Sequence, residues 1–284
     1  LRNDKGKVTK TLQDNAALKQ KVDGMNLASI EFFQFQTQDG VDLNGVMVKP
    51  ANFDASKKYP VILFQYSGPG SQQVQDSWYA GNCSAALLER YLAQEGFVSV
   101  IVDGRGTGGR GAKFEKQTYL KLGQLESHDQ VETAIYLSKL PWVDAKHIGI
   151  WGWSFGGFNT LMSMSEGRPV FYAGVAVAPP TSWRYYDTVY TERFMRTPKE
   201  NPEGYDCSPI SRAKNLSGSL LIIHGSADDN VHYRNVAEYT EALVHADKDF
   251  RQLTYTNRNH SIYGGNTRNH LFRQLVNHFK ESMK

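Results

Sequence analysis

The chain has 284 residues, with 32 Lys and Arg against 29 Asp and Glu, a formal net charge of +3 and 21% charged side chains. That length suits one large α/β domain or two smaller ones, and so small and mixed a charge gives no electrostatic footprint for nucleic acid or an anionic membrane surface. No run approaches the about 18 apolar residues of a membrane span, and Leu1-Arg2-Asn3-Asp4-Lys5 lacks the apolar core of a signal peptide.

A first residue that is Leu1 rather than Met leads to the expectation of a piece cut from a longer protein. Residues 1–30 are polar, with one short helix expected over 15–22, and read as a connector from a preceding domain. From Glu31 the pattern alternates: Phe33-Gln34-Phe35-Gln36, then a turn at Asp39-Gly40, then Val41 to Val48 predict an antiparallel hairpin. Unalternating apolar runs follow at Val61-Ile62-Leu63-Phe64, Val98-Ser99-Val100-Ile101-Val102, Ile148-Gly149-Ile150-Trp151, Ala173-Gly174-Val175-Ala176-Val177 and Leu220-Leu221-Ile222-Ile223. Such runs suit strands buried on both faces of a parallel sheet. Between them, amphipathic stretches over 129–140, 235–245 and 269–279 predict helices; the last carries Leu271, Phe272, Leu275, Val276 and Phe279 at helical spacing. The expected fold is one α/β domain over residues 31–284, with a mainly parallel sheet opened by the antiparallel hairpin and helices on both faces. Residues 181–215, rich in Tyr, Arg and Pro, interrupt this rhythm like a functional insertion or lid.

Gly152-Trp153-Ser154-Phe155-Gly156 fits G-x-S-x-G, with a buried strand before it and a helix-compatible stretch, 158–164, after it. This strand–turn–helix context presents a serine hydroxyl at the carboxyl end of a sheet, while the next backbone N–H points at a developing oxyanion. The simpler reading is a serine that only caps a helix. A serine hydroxyl needs a base, and in this fold an acid and then a histidine follow it in the chain. His232 is too close to the acidic loop, His245 falls in a helix, and His270 and His278 sit on the terminal helix. His260 alone lies in a loop, after the strand-like Gln252-Leu253-Thr254-Tyr255. The acid belongs after the run ending at Ile223, where Asp228 and Asp229 are both eligible and spacing does not choose between them. The early loop Gln65-Tyr66-Ser67-Gly68-Pro69-Gly70 offers the phenol of Tyr66 as an oxyanion donor, or a tyrosine that merely packs.

Gly104-Arg105-Gly106-Thr107-Gly108-Gly109 matches a dinucleotide fingerprint, yet Arg110-Gly111-Ala112-Lys113 supplies no apolar helix behind it, so we read a tight loop with a structural Arg105. No cofactor and no metal are expected: Cys83 and Cys207 are too few for a disulfide framework, and no metal-ligand spacing occurs. Trp183, Tyr186 and Tyr190 fall at helical spacing, and an aromatic substrate pocket is as reasonable there as simple packing.

Several segments together resemble the prolyl oligopeptidase family of serine peptidases, and its dipeptidyl peptidase IV branch in particular. They are Gly152-Trp153-Ser154-Phe155-Gly156-Gly157-Phe158, Ala178-Pro179, Trp183 with Tyr185-Tyr186-Asp187 and Val189-Tyr190-Thr191-Glu192-Arg193, His224-Gly225, Ala227-Asp228-Asp229-Asn230-Val231-His232, and Asp103-Gly104-Arg105-Gly106. The resemblance runs from about Ala51 to the last residue. It implies Ser154 as nucleophile, His260 as base, Asp228 as orienting acid, and Tyr66 with the Phe155 N–H as oxyanion donors. A proline ring would sit among Phe155, Trp183, Tyr186, Tyr190 and Val231, with Asn230 on the preceding carbonyl. The implied activity is release of N-terminal dipeptides after proline or alanine. Prolyl tripeptidyl release, or the acylaminoacyl-peptidase or esterase chemistry of related enzymes, is the alternative. The resemblance further implies a missing N-terminal β-propeller whose end is residues 1–30, an exported location, and pairing of two copies through the terminal helix. The chain departs from the family in placing Ser261 after His260, where glycine is usual, and Pro180 at the pocket rim.

Overall fold

The computed structural model describes residues 1–25, 27–77 and 85–283, so Cys83 lies outside the described residues. Alternation in the sequence becomes a hairpin: β1 (Ser29–Gln36) and β2 (Asp42–Lys49) pair antiparallel from Gln36 opposite Asp42 to Ser29 opposite Lys49. The sheet thus takes in two residues of the segment expected to be connector. Gly40, at φ 81°, turns the hairpin in a backbone region that favours glycine. Ahead of it, α1 (Ala16–Asp23) has no buried residue.

The apolar runs become β3 (Tyr59–Phe64), β4 (Val98–Asp103), β5 (Val143–Trp153), β6 (Ala173–Val177) and β7 (Ser219–Gly225), followed by β8 (Arg251–Tyr255). All eight strands form one sheet in the order β1-β2-β4-β3-β5-β6-β7-β8. Neighbours from β4 to β8 are parallel, while β2 meets β4 antiparallel. Every residue of β4 and of β6 is buried. That is why these segments read as continuous apolar runs, both faces being covered.

Because side chains alternate along a strand, Ile62, Ile101 and Trp151 face one side and Leu63, Val100 and Ile150 the other. The first side packs on Leu88 and Leu92 of α2 (Ala85–Gln94) and on Leu271, Leu275 and Phe279 of α9 (Thr267–Ser282). The second packs on Val131, Ala134 and Leu137 of α4 (Gln124–Ser138) and on Val236, Tyr239 and Leu243 of α8 (Arg234–His245). This is the expected parallel sheet with helices on both faces. The apolar stripe of the terminal helix is used up in the core: Leu271, Leu275, Val276 and Phe279 are buried against the sheet.

Three local expectations change. Helix α4 begins at Gln124 rather than at residue 129, because Gly123 turns at φ 90° and its N–H donates to Glu126 Oε2 at 2.8 Å. Helix α5 (Phe155–Met164) begins directly after Ser154, which makes the whole turn alone. The insertion is not one helix: a 3-10 turn at Trp183–Tyr185, an extended Tyr186, α6 (Thr188–Met195), α7 (Pro202–Asp206) and a last 3-10 turn (Ala213–Asn215) share it. Asp187 starts α6 by accepting the Tyr190 N–H at 2.8 Å, and that cap breaks the continuous helix the aromatic spacing suggested.

The glycine-rich loop after β4 leads into only the four-residue α3 (Ala112–Glu115). Its Arg105 is buried, with its guanidinium on Asp129 (Nη2 to Oδ1, 2.5 Å) and on Asp39 of the hairpin turn (Nη1 to Oδ2, 2.7 Å). Asp129 is fully buried. Replacing one member of such a pair strands the other charge, so Arg105→Leu is expected to lower stability by about 3–5 kcal/mol in urea unfolding. A change below about 1 kcal/mol would mean the pair is dispensable.

Candidate active site

Strand β5 ends at Trp153, and Ser154 follows at φ 58° and ψ −119°, a conformation that side-chain-bearing residues rarely adopt. The turn closes because nothing projects from the glycines around it. A Cβ on Gly152 would lie 2.4 Å from Gly156 carbonyl atoms, and one on Gly156 would lie 2.4 Å from the Gln65 oxygen. Ser154 donates its backbone N–H to Val177 O at 2.8 Å and accepts the Phe158 N–H at 3.0 Å, while its hydroxyl makes no cap bond to the helix. The capping reading of this serine therefore fails.

Beyond β7, the Asp228 carboxylate is enclosed by donors. Its Oδ1 accepts the N–H groups of Asn230 at 2.9 Å and Val231 at 2.8 Å. Its Oδ2 lies 2.8 Å from His260 Nδ1 and 3.3 Å from His224 Nε2. Burial alone would raise its pKa, but the hydrogen bonds from His224 and His260 and the backbone N–H of Asn230 outweigh it and hold the carboxyl well below the usual carboxylate range. The exposed Asp229 instead accepts the backbone N–H of His260 at 3.3 Å. Both aspartates left open by spacing thus meet His260, one at the ring and one at the backbone.

The His260 loop is strapped down further. Trp153 Nε1 donates to His260 O at 3.1 Å, Arg268 Nε donates to Ser261 O at 2.9 Å, and the Arg268 guanidinium lies over the Trp153 ring at 5.1 Å. Next to Ser261, Ile262 is fully buried at φ 44°, an uncommon region for a β-branched residue that core packing holds in place. Among the described residues no hydrogen bond joins Ser154 to His260. The Ser154 hydroxyl meets the Tyr66 phenol, whose pKa burial raises and that contact partly offsets.

Tyr66 follows β3 on a loop tied to helix α5 by a buried polar network. Gln65 Nε2 donates to Gly156 O at 2.7 Å and to Thr160 Oγ1 at 3.1 Å. Asn159 Nδ2 donates to Gln65 Oε1 at 3.1 Å and to Ser67 Oγ at 3.0 Å. Phe155 fills the space under the loop, leaving no room for a side chain at Gly68. Beside Ser154 opens a cavity of about 260 Å³ whose walls include Tyr66, Phe155, Pro180, Trp183, Tyr186 and Tyr190. Trp183 and Tyr190 stack at 6.0 Å, and Tyr186 meets Tyr190 edge-on at 5.8 Å. Asn230 and Val231 are not among the residues lining this cavity. Asn230 Oδ1 accepts the Tyr186 hydroxyl at 3.0 Å, and Val231 is fully buried behind Asp228. Arg193, Phe194 and Pro69 also line it.

Sequence reading missed Gln65, Asn159, Trp153 and His224 as parts of the site. The two amides carry no pattern, since only tertiary contact joins them. Trp153 and His224 stood in segments that carry the resemblance, without an assigned role. No group of three His, Cys, Asp or Glu fit to hold a metal ion occurs among the described residues. Cys207 is a free thiol, its Sγ accepting from Arg212 Nη2 at 3.3 Å.

A serine at a strand–helix elbow, backed by a parallel sheet with an aspartate and a histidine on later loops, defines an α/β hydrolase. The family model described as the prolyl oligopeptidase family matches residues 85–284, and the chain belongs to this family of serine peptidases. Its fold is similar to that of Porphyromonas gingivalis dipeptidyl peptidase 4, with a TM-score of 0.92 and 49% identity, covering 99% of this chain and 39% of that one. It is 38% identical over 281 residues to "Probable dipeptidyl peptidase 4" of Aspergillus flavus, covering 95% of this chain and 36% of the relative. To "Probable dipeptidyl-aminopeptidase B" of Arthroderma benhamiae it is 41% identical over 257 residues, covering 89% of this chain and 28% of the relative. The chain thus spans only about a third of the length of these relatives.

Below the pocket, Glu126 is fully buried, and burial pushes its pKa up to about 8. An unfolded glutamate loses its proton near 4.3. Between these values the folded chain holds a proton the unfolded chain has released, so stability falls as pH rises, by up to about 1.4 kcal/mol per pH unit. Glu126→Gln, which keeps an acceptor for Gly123, is expected to flatten this slope between pH 5 and 8 in urea unfolding. A slope equal to that of the unaltered protein would assign the effect elsewhere.

Proposed function

We propose that the chain is the catalytic domain of a serine exopeptidase that releases N-terminal dipeptides after proline or alanine. The observation that carries this reading is an aromatic cavity of about 260 Å³ opening beside Ser154, between Tyr66 on one side and Tyr186 and Tyr190 on the other. A flat, rigid pyrrolidine fills such a box with little conformational loss.

In the reaction, Ser154 Oγ attacks the carbonyl carbon of the proline residue and its proton passes to His260. Asp228 accepts the Nδ1–H of His260, sets its tautomer and stabilises the imidazolium. The tetrahedral oxygen takes hydrogen bonds from the Tyr66 hydroxyl and the Phe155 N–H. His260 then protonates the leaving amine, the C–N bond breaks, and water activated by the same imidazole releases the dipeptide from the acyl-enzyme. Asn230, held beside the pocket by Tyr186, binds the carbonyl before proline. The greater length of the relatives supports a further domain in the intact protein. We assign to it a β-propeller that grips the substrate's free amino group, with residues 1–30 as the connector.

The intact protein is expected to cleave Gly-Pro-p-nitroanilide and to spare its N-blocked form. Cleavage of the blocked form would exclude exopeptidase specificity, and preference for a tripeptide analogue would move the activity to tripeptidyl release. Ser154→Ala is expected to abolish turnover, while Tyr66→Phe should lower kcat by about 10²–10³, the usual loss for one oxyanion donor. With Asp228 held ionised far below neutrality, the carboxylate should add no second ionisation to the acid limb of kcat/KM. Two overlapping ionisations there would count against the assignment.

A further inference from the structure

His224 lies at the end of β7, four residues before Asp228, with its side chain fully buried. Its Nε2 stands 2.8 Å from Val231 O and 3.3 Å from Asp228 Oδ2. A carbonyl oxygen only accepts, so Nε2 carries the hydrogen, donates it to Val231 O and keeps its positive end beside the Asp228 carboxylate. Nδ1 is buried with no partner, which suits a neutral ring because a second N–H there would go unsatisfied. The Tyr233 ring meets the imidazole edge-on at 5.6 Å and fixes its plane.

Resting on the serine-peptidase reading above, we propose that His224 is a positioning residue for the Asp228–His260 pair. Its Nε2–H holds Asp228 Oδ2 in line with His260 Nδ1 and draws part of the carboxylate charge away from the catalytic imidazole. Two backbone N–H groups fix Oδ1, but among the described residues only His224 stands behind the oxygen that faces His260. Other charged or titratable groups flank the pair without taking this place. Asp229 binds the His260 backbone, Arg268 binds the Ser261 carbonyl, and Tyr186 reaches only Asn230. Tyr66 meets Ser154, and Tyr233 faces the back of His224.

Removal of the His224 donor concentrates charge on the oxygen facing His260, and the imidazole then takes up its proton at higher pH. The test is the pH dependence of Ser154 labelling by a fluorophosphonate in the intact protein. There the serine oxygen bonds to phosphorus, fluoride leaves, and His260 takes the hydroxyl proton. This readout needs no particular peptide, so it stands even where Gly-Pro-p-nitroanilide is not cleaved, and a failure of the dipeptidyl reading is seen separately. Labelling that persists unchanged in Ser154→Ala, or is absent from the unaltered protein, would instead remove the serine mechanism itself.

For His224→Phe, the labelling rate is expected to drop about 10-fold and its acid limb to move up by about 0.5–1 pH unit. His224→Gln, whose amide nitrogen reaches the position of Nε2, should recover most of the rate and the original limb. His224→Asn, one methylene shorter, should not recover them. Should the Phe variant fail to fold, the contrast between Gln and Asn decides. An acid limb that stays put in Phe or Asn, or moves equally in Gln and Asn, would overturn the proposal and leave His224 a packing residue.

Discussion

Ser154 is held at φ 58° between the central strand β5 and helix α5, and a side chain in that backbone region is tolerated only where its surroundings over-determine it. Here the surroundings are the bare backbones of Gly152 and Gly156 pressed against the Gln65 carbonyl. One close approach therefore does two things: it sharpens the turn that carries Ser154, and it pulls the loop carrying Tyr66 onto helix α5. Gln65 and Asn159 then fix that approach with hydrogen bonds that no water reaches, since both side chains are fully buried.

The charged half of the site is built by saturation. Asp228 receives two backbone and two imidazole contacts, so its charge is satisfied without a cation beside it. The base loop is tied to Trp153, the residue immediately before the proposed nucleophile. Strand β5 thereby fixes both Ser154 and the His260 loop from a single rigid element. On the other side of Ser154, Phe155 packs between Tyr66 and Trp183, making the pocket wall continuous with the nucleophile turn.

Much of this was legible in the residues themselves. The parallel strands showed as apolar runs because both faces of the sheet are covered, and the elbow showed because its glycines have no substitute. What stayed hidden depends on groups whose pairing is purely tertiary. The start of α4 was masked by Glu126 and Ser127, polar in the sequence and buried in the fold. Trp183, Tyr186 and Tyr190 share a pocket as their spacing suggested, but Asp187 caps a new helix between them, so the chain bends to bring them together. Asp228 and Asp229 were inseparable by spacing because adjacent residues differ only in direction, which the loop after β7 decides.

The order of strands also bears on how the protein acquires its activity. Tyr66, Ser154, Asp228 and His260 follow β3, β5, β7 and β8, so the site straddles most of the sheet and closes only when the edge strand has docked. Parallel pairing joins segments far apart in the chain and forms late, after its loop-closure entropy has been overcome. A molecule in which β8 has not paired with β7 would hold the elbow without His260 beside Asp228, so the two halves of the site come together only with the whole sheet.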